Sequence, residues 1–376
     1  MRIAIVAECF LPEINGVTNS VLRVIEHLER RNHQVLVIAP GLGPARYSAT
    51  PVERVPAVEV PFYRTLSVGL PGARVRSILA GFGPDVVHLA APMVLGAMGL
   101  RAARHLGLPT VAVYQTDVAG FGGRYGFGFA AEAVWGWIRR VHNQADVTLA
   151  PSSAAAWMLT QHGVDRVARW GRGVDLDLFN PQHRSPSLRR QLAPGGKLLV
   201  GYVGRLAPEK QVHLLAHAAR VPGIRTVVVG AGPSAGRLRQ ALPAAVFVGA
   251  KSGPELSAHF ASLDVFVHTG AEETFCQAIQ EALASGVPVV APAAGGPLDT
   301  VHHGDNGFLY PASHPALIGE AIRELAGDAG MRGRMSRRAR ESVLGRGWSP
   351  LGDELLCHYR AVISGARTSR PALAAA

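Results

Sequence analysis

Residues 198–210 read LLVGYVGRLAPEK. A continuous apolar run of six residues closes on Gly204, and two cations, Arg205 and Lys210, follow it. A short apolar run ended by a turn signal fits a strand covered on both faces, the kind found in parallel sheets. In open parallel sheets ligands bind beyond the carboxyl ends of the strands. Arg205 and Lys210 would then lie on a strand-exit loop, where a planar fork and a point charge can converge on a diphosphate. An ordinary solvated loop satisfies the same pattern.

Strand-like runs recur on both sides of this stretch. After it come residues 226–229 (TVVV), 245–248 (AVFV), 265–268 (VFVH) and 288–291 (PVVA). Before it come residues 2–7, 34–39 (QVLVIA), 85–89 (DVVHL), 110–114 (TVAVY) and 147–150. Helix-length segments separate them, and the first, from Thr18 as cap to about Arg30, carries an apolar stripe of Val21, Leu22, Val24, Ile25 and Leu28. Strand–helix alternation running twice predicts an α/β chain of two Rossmann-like domains facing a cleft. Their expected bounds are residues 1–172 and 198–347. Residues 173–197 read as a linker, 348–365 as a final helix and 366–376 as a frayed tail.

Composition agrees. The chain has 376 residues, enough for about two domains, and is 48% hydrophobic and 17% charged, as a globular protein is. Three scattered cysteines, Cys9, Cys276 and Cys357, exclude a disulfide scaffold or a zinc cluster and suit a reducing compartment. All but three of the 38 basic residues are arginine, and the net charge is +11. That charge favours an anionic partner or simple solubility. No run of 18 uncharged apolar residues predicts a spanning helix, and the start MRIAIVAE does not resemble a signal peptide. No nucleic-acid-binding module or lysine-rich tract is present, so no nucleic-acid partner is expected.

Residues 273–281 read ETFCQAIQE and follow the strand at 265–268. With Glu273 before a helix and Glu281 two turns into it, the carboxylates would stand about 12 Å apart along the axis at roughly 1.5 Å per residue. That separation is too wide for a glycosidase pair but spans the two ends of a nucleotide sugar. The free N–H groups at the helix start, from about Thr274 to Gln277, suit an anion. Asn15-Gly16 after the first strand allows close approach of a phosphate, and equally forms a routine turn. Three look-alikes fail. In GAGPSAG (230–236) the third glycine is one place late for a dinucleotide fingerprint. GAKS (249–252) lacks the glycine a P-loop needs before Lys251. Asp175 and Asp177 match Asp-x-Asp but have no neighbouring ligands, so no metal is expected. Residues 121–137 concentrate aromatics beside Arg124, Arg139 and Arg140. They fit either a lipid-headgroup contact or a helix packed in the core, and Arg64, Arg74 and Arg76 extend the basic character.

GRLAPEK, the E-x7-E run followed by ALASGVPVVA, the opening AECFLPEINGVTNSV and the closing WSPLGDELLCHYR together resemble the retaining glycosyltransferases of family four, which have the GT-B fold. The resemblance spans nearly the whole chain. It is strongest to actinobacterial GDP-mannose-dependent α-mannosyltransferases acting on glycolipids, with UDP-sugar-dependent glucosyl- and sulfoquinovosyl-transferases as the alternative. It implies that Arg205 and Lys210 hold the donor diphosphate, Glu281 the ribose and Glu273 the hexose. The backbone of Phe275 and Cys276 would assist. Gly16 would close over the β-phosphate, and Lys251 would border the base. Asn15, Gln115 and Asp117 would contact sugar or acceptor. In YQTD (114–117) Gln115 stands where many relatives have histidine, and glutamine does not titrate. The partners implied are a nucleotide-sugar donor, a lipid-linked acceptor and an anionic membrane surface. The expected place is cytoplasmic, peripheral on the inner face of the plasma membrane. The expected mechanism is metal-free same-face attack with the departing phosphate as base, and the final helix would cross back onto the first domain.

Overall fold

The computed structural model describes residues 1–60, 63–69, 73–115 and 131–368. The chain divides into two compact units, Met1–Arg172 with Trp348–Ala376, and Gly173–Gly347. The expectations for Asp117, for Arg124 and its neighbours up to residue 130, for the side chain of Arg64 and for the tail beyond residue 368 lie outside the described residues.

Unit one holds strands β1 (Arg2–Ala7), β2 (Gln34–Pro40), β3 (Arg46–Tyr47), β4 (Thr50–Val55), β5 (Ala57–Val60), β6 (Tyr63–Gly69), β7 (Val86–Ala90), β8 (Thr110–Val113), β9 (Val147–Ala150) and β10 (Val167–Arg169). Among the described residues, eight of these form one sheet in the order β10-β9-β8-β7-β1-β2-β4-β3, parallel except for the β3–β4 hairpin, while β5 and β6 pair with each other. β1 is central and all but its first residue are buried, because helices cover both faces. The predicted core strands appear within a residue or two of their expected bounds. Composition did not reveal β3 to β6. Strand β4 alternates buried and exposed residues over only six positions, too few to stand out.

The first helix runs Gly16–Arg30, and its stripe packs Val21, Val24, Ile25 and Leu28 into the core. Its cap is Asn15, not Thr18: Asn15 Oδ1 accepts from the N–H groups of Val17 (3.0 Å) and Thr18 (2.9 Å). Thr18 lies within the helix, fully buried. Both residues favour caps, and the glycine after Asn15 starts the helix one turn earlier than the apolar stripe suggests.

The last helix, Trp348–Thr368, belongs to unit one and packs on the first helix. Tyr359 is fully buried and hydrogen-bonds His88 Nδ1 at 2.7 Å, and Trp170 Nε1 donates to the Leu351 carbonyl at 2.9 Å. Asp353 pairs with His27 (3.1 Å) and Arg31 (2.5 Å) on the first helix. Burial drives the His88 imidazole down to about 4, so it is neutral there.

Unit two holds β11 (Leu198–Val203), β12 (Ile224–Val229), β13 (Val246–Gly249), β14 (Val265–Val267), β15 (Val289–Pro292) and β16 (Gly307–Tyr310). These form a wholly parallel sheet in the order β13-β12-β11-β14-β15-β16. The order reverses between β11 and β14, the place where a doubly wound sheet opens a crevice. Residues 173–197, expected as a linker, fold onto this unit. Asn180 caps a turn at Pro181–His183, Ser185 caps a helix at Pro186–Leu192, and Phe179 and Leu192 enter the core. Arg184 and Arg189 both pair with Asp264, at 2.7 and 2.9 Å. A seven-residue helix is too short to display a period, although Asn-Pro and Ser-Pro were legible as starts. Asp175 is occupied locally, accepting from the Leu178 N–H at 3.0 Å.

Tyr359→Phe leaves the buried His88 nitrogen without its partner. It should destabilise unit one by about 1–3 kcal/mol, the usual cost of an orphaned buried polar group. Urea unfolding followed by tryptophan fluorescence checks this, with Trp170 beside His88 as a local reporter.

Candidate active site

Four neighbouring strands of unit two place their carboxyl ends side by side. The Gly204 N–H donates to Val229 O (3.0 Å), and the Gly230 N–H donates to Gly249 O (2.8 Å). The loops after β11, β12 and β13 are thereby tied together. A Cβ on Gly230 would lie 1.9 Å from Gly204 O, and one on Gly232 would lie 2.4 Å from Leu206 O. The GAGPSAG segment therefore braces the GRLAPEK loop, and Gly230 and Gly232 are required by that approach.

On the braced loop Arg205 is exposed and Lys210 half-buried. Thr269 Oγ1 donates to the Lys210 carbonyl (2.6 Å), fixing the loop against the exit of β14. Lys210 Nζ reaches Glu273 Oε1 at 2.5 Å, and His268 Nε2 lies 3.4 Å from the same oxygen. Cys276 Sγ lies 3.4 Å from His268 Nδ1 and 3.6 Å from Nε2. His268 and Cys276 are buried, and the Glu273 side chain is 14% exposed. Burial alone would raise the Glu273 carboxyl, but His268 and Lys210 hold it well below the usual range. Burial likewise opposes the charge on Lys210, and Glu273 restores it, lifting the ammonium above its ordinary value. His268, which burial would lower, is raised by Cys276 and Glu273. The result is a carboxylate held between two nitrogen groups at a strand exit.

The backbone here is held from behind. The Gly296 N–H donates to Glu273 O (2.8 Å), and a Cβ on Gly296 would meet Phe275 O at 2.2 Å. Cys276 has φ +70°, in the left-handed region that disfavours any residue but glycine. It is the N-cap of a helix at Gln277–Ala284, without a side-chain cap bond. The helix therefore starts later than expected, at Gln277. Glu281 sits about one turn into it rather than two, and the helical rise does not apply between Glu273 and Gln277. Glu281 is half-buried and paired with Gln277; burial, the larger effect, raises its carboxyl to about 8.

Lys251 follows β13 and pairs with the exposed Glu255 four residues on, an ordinary helix-surface pair. In unit one, Arg172 donates to Gly16 O and to Gln115 Oε1, each at 2.8 Å, joining the first helix to the end of β8. The Asn15 side chain caps that helix. His268, Arg172 and the Gly295-Gly296 pair were not singled out by sequence. His268 closes the strand-like run 265–268 and Gly295-Gly296 come shortly after the run 288–291, while no such run marks Arg172.

The comparisons with known proteins agree along the whole chain. The family described as Glycosyltransferase Family 4 matches residues 14–178, and Glycosyl transferases group 1 matches residues 184–342. A GDP-mannose-dependent alpha-mannosyltransferase of Mycobacterium tuberculosis is 50% identical over 99% of both chains. The chain belongs to Glycosyltransferase Family 4. As a member of this family it is a glycosyltransferase, as the sequence motifs implied. A second relative from Mycobacterium tuberculosis, GDP-mannose-dependent alpha-(1-6)-phosphatidylinositol dimannoside mannosyltransferase, is 28% identical over 86% of this family 4 chain and 87% of its own. The solved structure of Anabaena HepE in complex with UDP superposes with a TM-score of 0.78 at 20% identity, covering 96% of this chain and 100% of that one. The fold is GT-B, as expected.

Glu281 makes the donor-free protein sensitive to pH. Its carboxyl titrates at 4.5 when unfolded and at about 8 when folded. Below the lower value both states hold the proton. Between the two, the unfolded chain releases its proton while the folded chain keeps it, so stability falls as pH rises. Glu281→Gln should remove this slope. Melting temperatures from about pH 5 to about pH 8 should decline less in the variant than in the native protein.

Proposed function

We propose that this glycosyltransferase moves mannose from GDP-mannose, with retention of configuration, to a lipid-linked acceptor. The carrying observation is the Lys210–Glu273 pair, 2.5 Å apart at the exits of β11 and β14, on a chain half identical to a GDP-mannose-dependent relative. Without donor each charge compensates the other. The donor replaces both sides at once: its diphosphate takes the ammonium, and its hexose hydroxyls donate to the carboxylate. Arg205 on the same loop adds a planar donor fork to the diphosphate. The uncapped start of the Gln277–Ala284 helix turns its first N–H groups toward negative charge. These groups stabilise the leaving nucleoside diphosphate where charge develops, which lets the reaction run without a metal. The same-face route, with the departing phosphate taking the acceptor proton, spares a carboxylate nucleophile. Glu273, held between Lys210 and His268, is suited to positioning rather than attack. Glu281 binds the ribose, and ribose hydroxyls donating to it favour its ionised form. Gly16, Gln115, Asp117 and Lys251 keep the roles the family resemblance gives them.

A lipid-linked acceptor brings the enzyme to an anionic membrane surface on the cytoplasmic side. Among the described residues no helix is long and apolar enough to cross a membrane. The helix Ala131–His142 buries Trp135, stacked on His162 at 3.7 Å, so one of its tryptophans is core. Trp137 is 42% exposed and shares a groove with Arg101, Arg104, His105 and Arg140, beside the helix Leu95–His105. An exposed tryptophan among arginines suits a headgroup layer.

Two experiments test this reading. A panel of nucleotide sugars assayed with a membrane lipid extract should give transfer from GDP-mannose, insensitive to EDTA. Lys210→Ala should lower turnover by about 100- to 1,000-fold, the size of a lost transition-state donor. Preference for a UDP-sugar, or near-native kcat/KM in a folded Lys210→Ala, overturns the assignment. For the membrane, replacing Arg101, Arg104 and Arg140 with glutamine should weaken binding to anionic vesicles by about 100-fold, at about 1 kcal/mol per charge. Co-sedimentation reads it, and equal pelleting with neutral vesicles removes the electrostatic role.

A further inference from the structure

We propose that His268 is a positioning residue for transfer: a fixed imidazolium that keeps Glu273 ionised and in place while the donor diphosphate takes Lys210. The proposal rests on the reading of Lys210 and Glu273 as donor ligands. Two nitrogen groups face one carboxylate oxygen, with Lys210 Nζ at 2.5 Å and His268 Nε2 at 3.4 Å from Glu273 Oε1. One cation balances one carboxylate, so the second needs a reason. The two are held differently. Lys210 reaches in from a loop on a long stem, with its side chain 25% exposed. His268 follows β14 directly. Its N–H donates to Val290 O at 2.8 Å, and its carbonyl accepts from the Tyr310 hydroxyl at 3.3 Å. Its side chain is 3% exposed, and Cys276 Sγ packs against the ring, 3.4 and 3.6 Å from the two nitrogens. Gly270 passes so close that a Cβ there would stand 3.4 Å from Nε2. The lysine can turn from Glu273 to a ligand, and the ring stays where it is.

A carboxylate this far from water stays ionised only while a cation or hydrogen-bond donors face it. A diphosphate that draws Lys210 away removes the nearer partner. Hexose hydroxyls supply hydrogen bonds but no charge. Without His268, burial would push the Glu273 carboxyl up, and a protonated Glu273 exchanges an acceptor for a donor. With His268 in place the anion survives the departure of the lysine, and the hexose meets a carboxylate. The titratable groups gathered around the ring are Glu273 and Cys276 after β14, Lys210 after β11, Tyr202 on β11 and Tyr310 on β16. Glu273 is the carboxylate among them, and burial holds both tyrosines neutral. Burial opposes a charge on the ring, and Cys276 and Glu273 oppose burial. A thiol is mostly protonated at neutral pH, so the charge that faces the ring there is the carboxylate's. Histidine and glutamate each ionise because the other does.

Two measurements on the full chain test this. The first needs no donor. In the nitrogen NMR spectrum of protein carrying ¹⁵N-labelled histidine, the ring signals lost in His268→Gln belong to His268. At about pH 7.5 they should show both nitrogens protonated, where an ordinary imidazole is mostly neutral. Glu273→Gln should return them to the neutral pattern. The second is calorimetric titration with GDP and with GDP-mannose. His268→Gln keeps an N–H donor and cannot carry charge. It should weaken GDP-mannose by about 10- to 100-fold, the range of one hydrogen bond to a charged group, and leave GDP unchanged. The loss should deepen from about pH 8 to about pH 5, because burial then protonates Glu273 in the variant and His268 prevents it in the native chain. GDP has the same ribose above Glu281 and is the control at each pH. Cooperative melting selects folded variants, with His268→Asn as the second choice. A neutral His268 in the native chain overturns the proposal. So does an equal loss for GDP and GDP-mannose, which marks a merely structural role, or no loss for either. A native chain that binds GDP but not GDP-mannose overturns the donor assignment instead, and the spectrum still decides the charge on His268.

Discussion

Parallel strands buried on both faces leave one place for polar chemistry, the ends of the strands. In β1, β7 and β11 nearly every residue is enclosed. Helices take the remaining surface of each sheet, so a charged side chain can reach solvent and sheet together only from a loop. At the carboxyl ends of β11 to β14 those loops are drawn together by backbone hydrogen bonds and by glycines whose missing Cβ atoms permit contact. Rigidity of the site follows from the sheet, since each loop inherits its position from a strand that cannot move without exposing core.

Within that frame the Lys210–Glu273 pair carries most of the site's electrostatics. Two charges half-removed from water are stable only while each compensates the other. His268 and Cys276 complete the cluster from below. The Gly295-Gly296 turn after β15 presses the Glu273–Phe275 backbone into place, and Cys276 accepts a left-handed conformation at the helix start. Local strain tolerated next to ionisable groups is characteristic of sites that bind.

Unit one shows the same economy with different groups. Glu8, at the exit of β1, accepts from the N–H groups of Met93, Val94 and Gly96 at 2.6–2.8 Å, so the protein supplies its own carboxyl oxygen to the start of the Leu95–His105 helix. The start of the Gly16–Arg30 helix is treated otherwise: Asn15 caps it, and Arg172 grips the Gly16 carbonyl. The last helix returns to this unit and is held by a buried tyrosine–histidine bond rather than by surface charge alone.

By itself the sequence determined what depends on neighbours along the chain. Apolar runs closed by glycine or proline marked the central strands, their alternation with helices marked two wound sheets, and GRLAPEK and ETFCQAIQE placed charges just after strands. Such signals are local because strand burial and helix periodicity are local. Only the tertiary structure decided which of these charges meet. Lys210 and Glu273 are 63 residues apart and share one hydrogen bond. Gly296 matters because Phe275 lies behind it, and Trp135 is core while Trp137 two positions on is exposed. Thr18 read as the cap from sequence, and the chain's path put Asn15 there instead. Residues 173–197 looked like a linker because their helices are shorter than a readable period. In each case the deciding partner is far away in sequence, and no pattern within one segment encodes the distance to another.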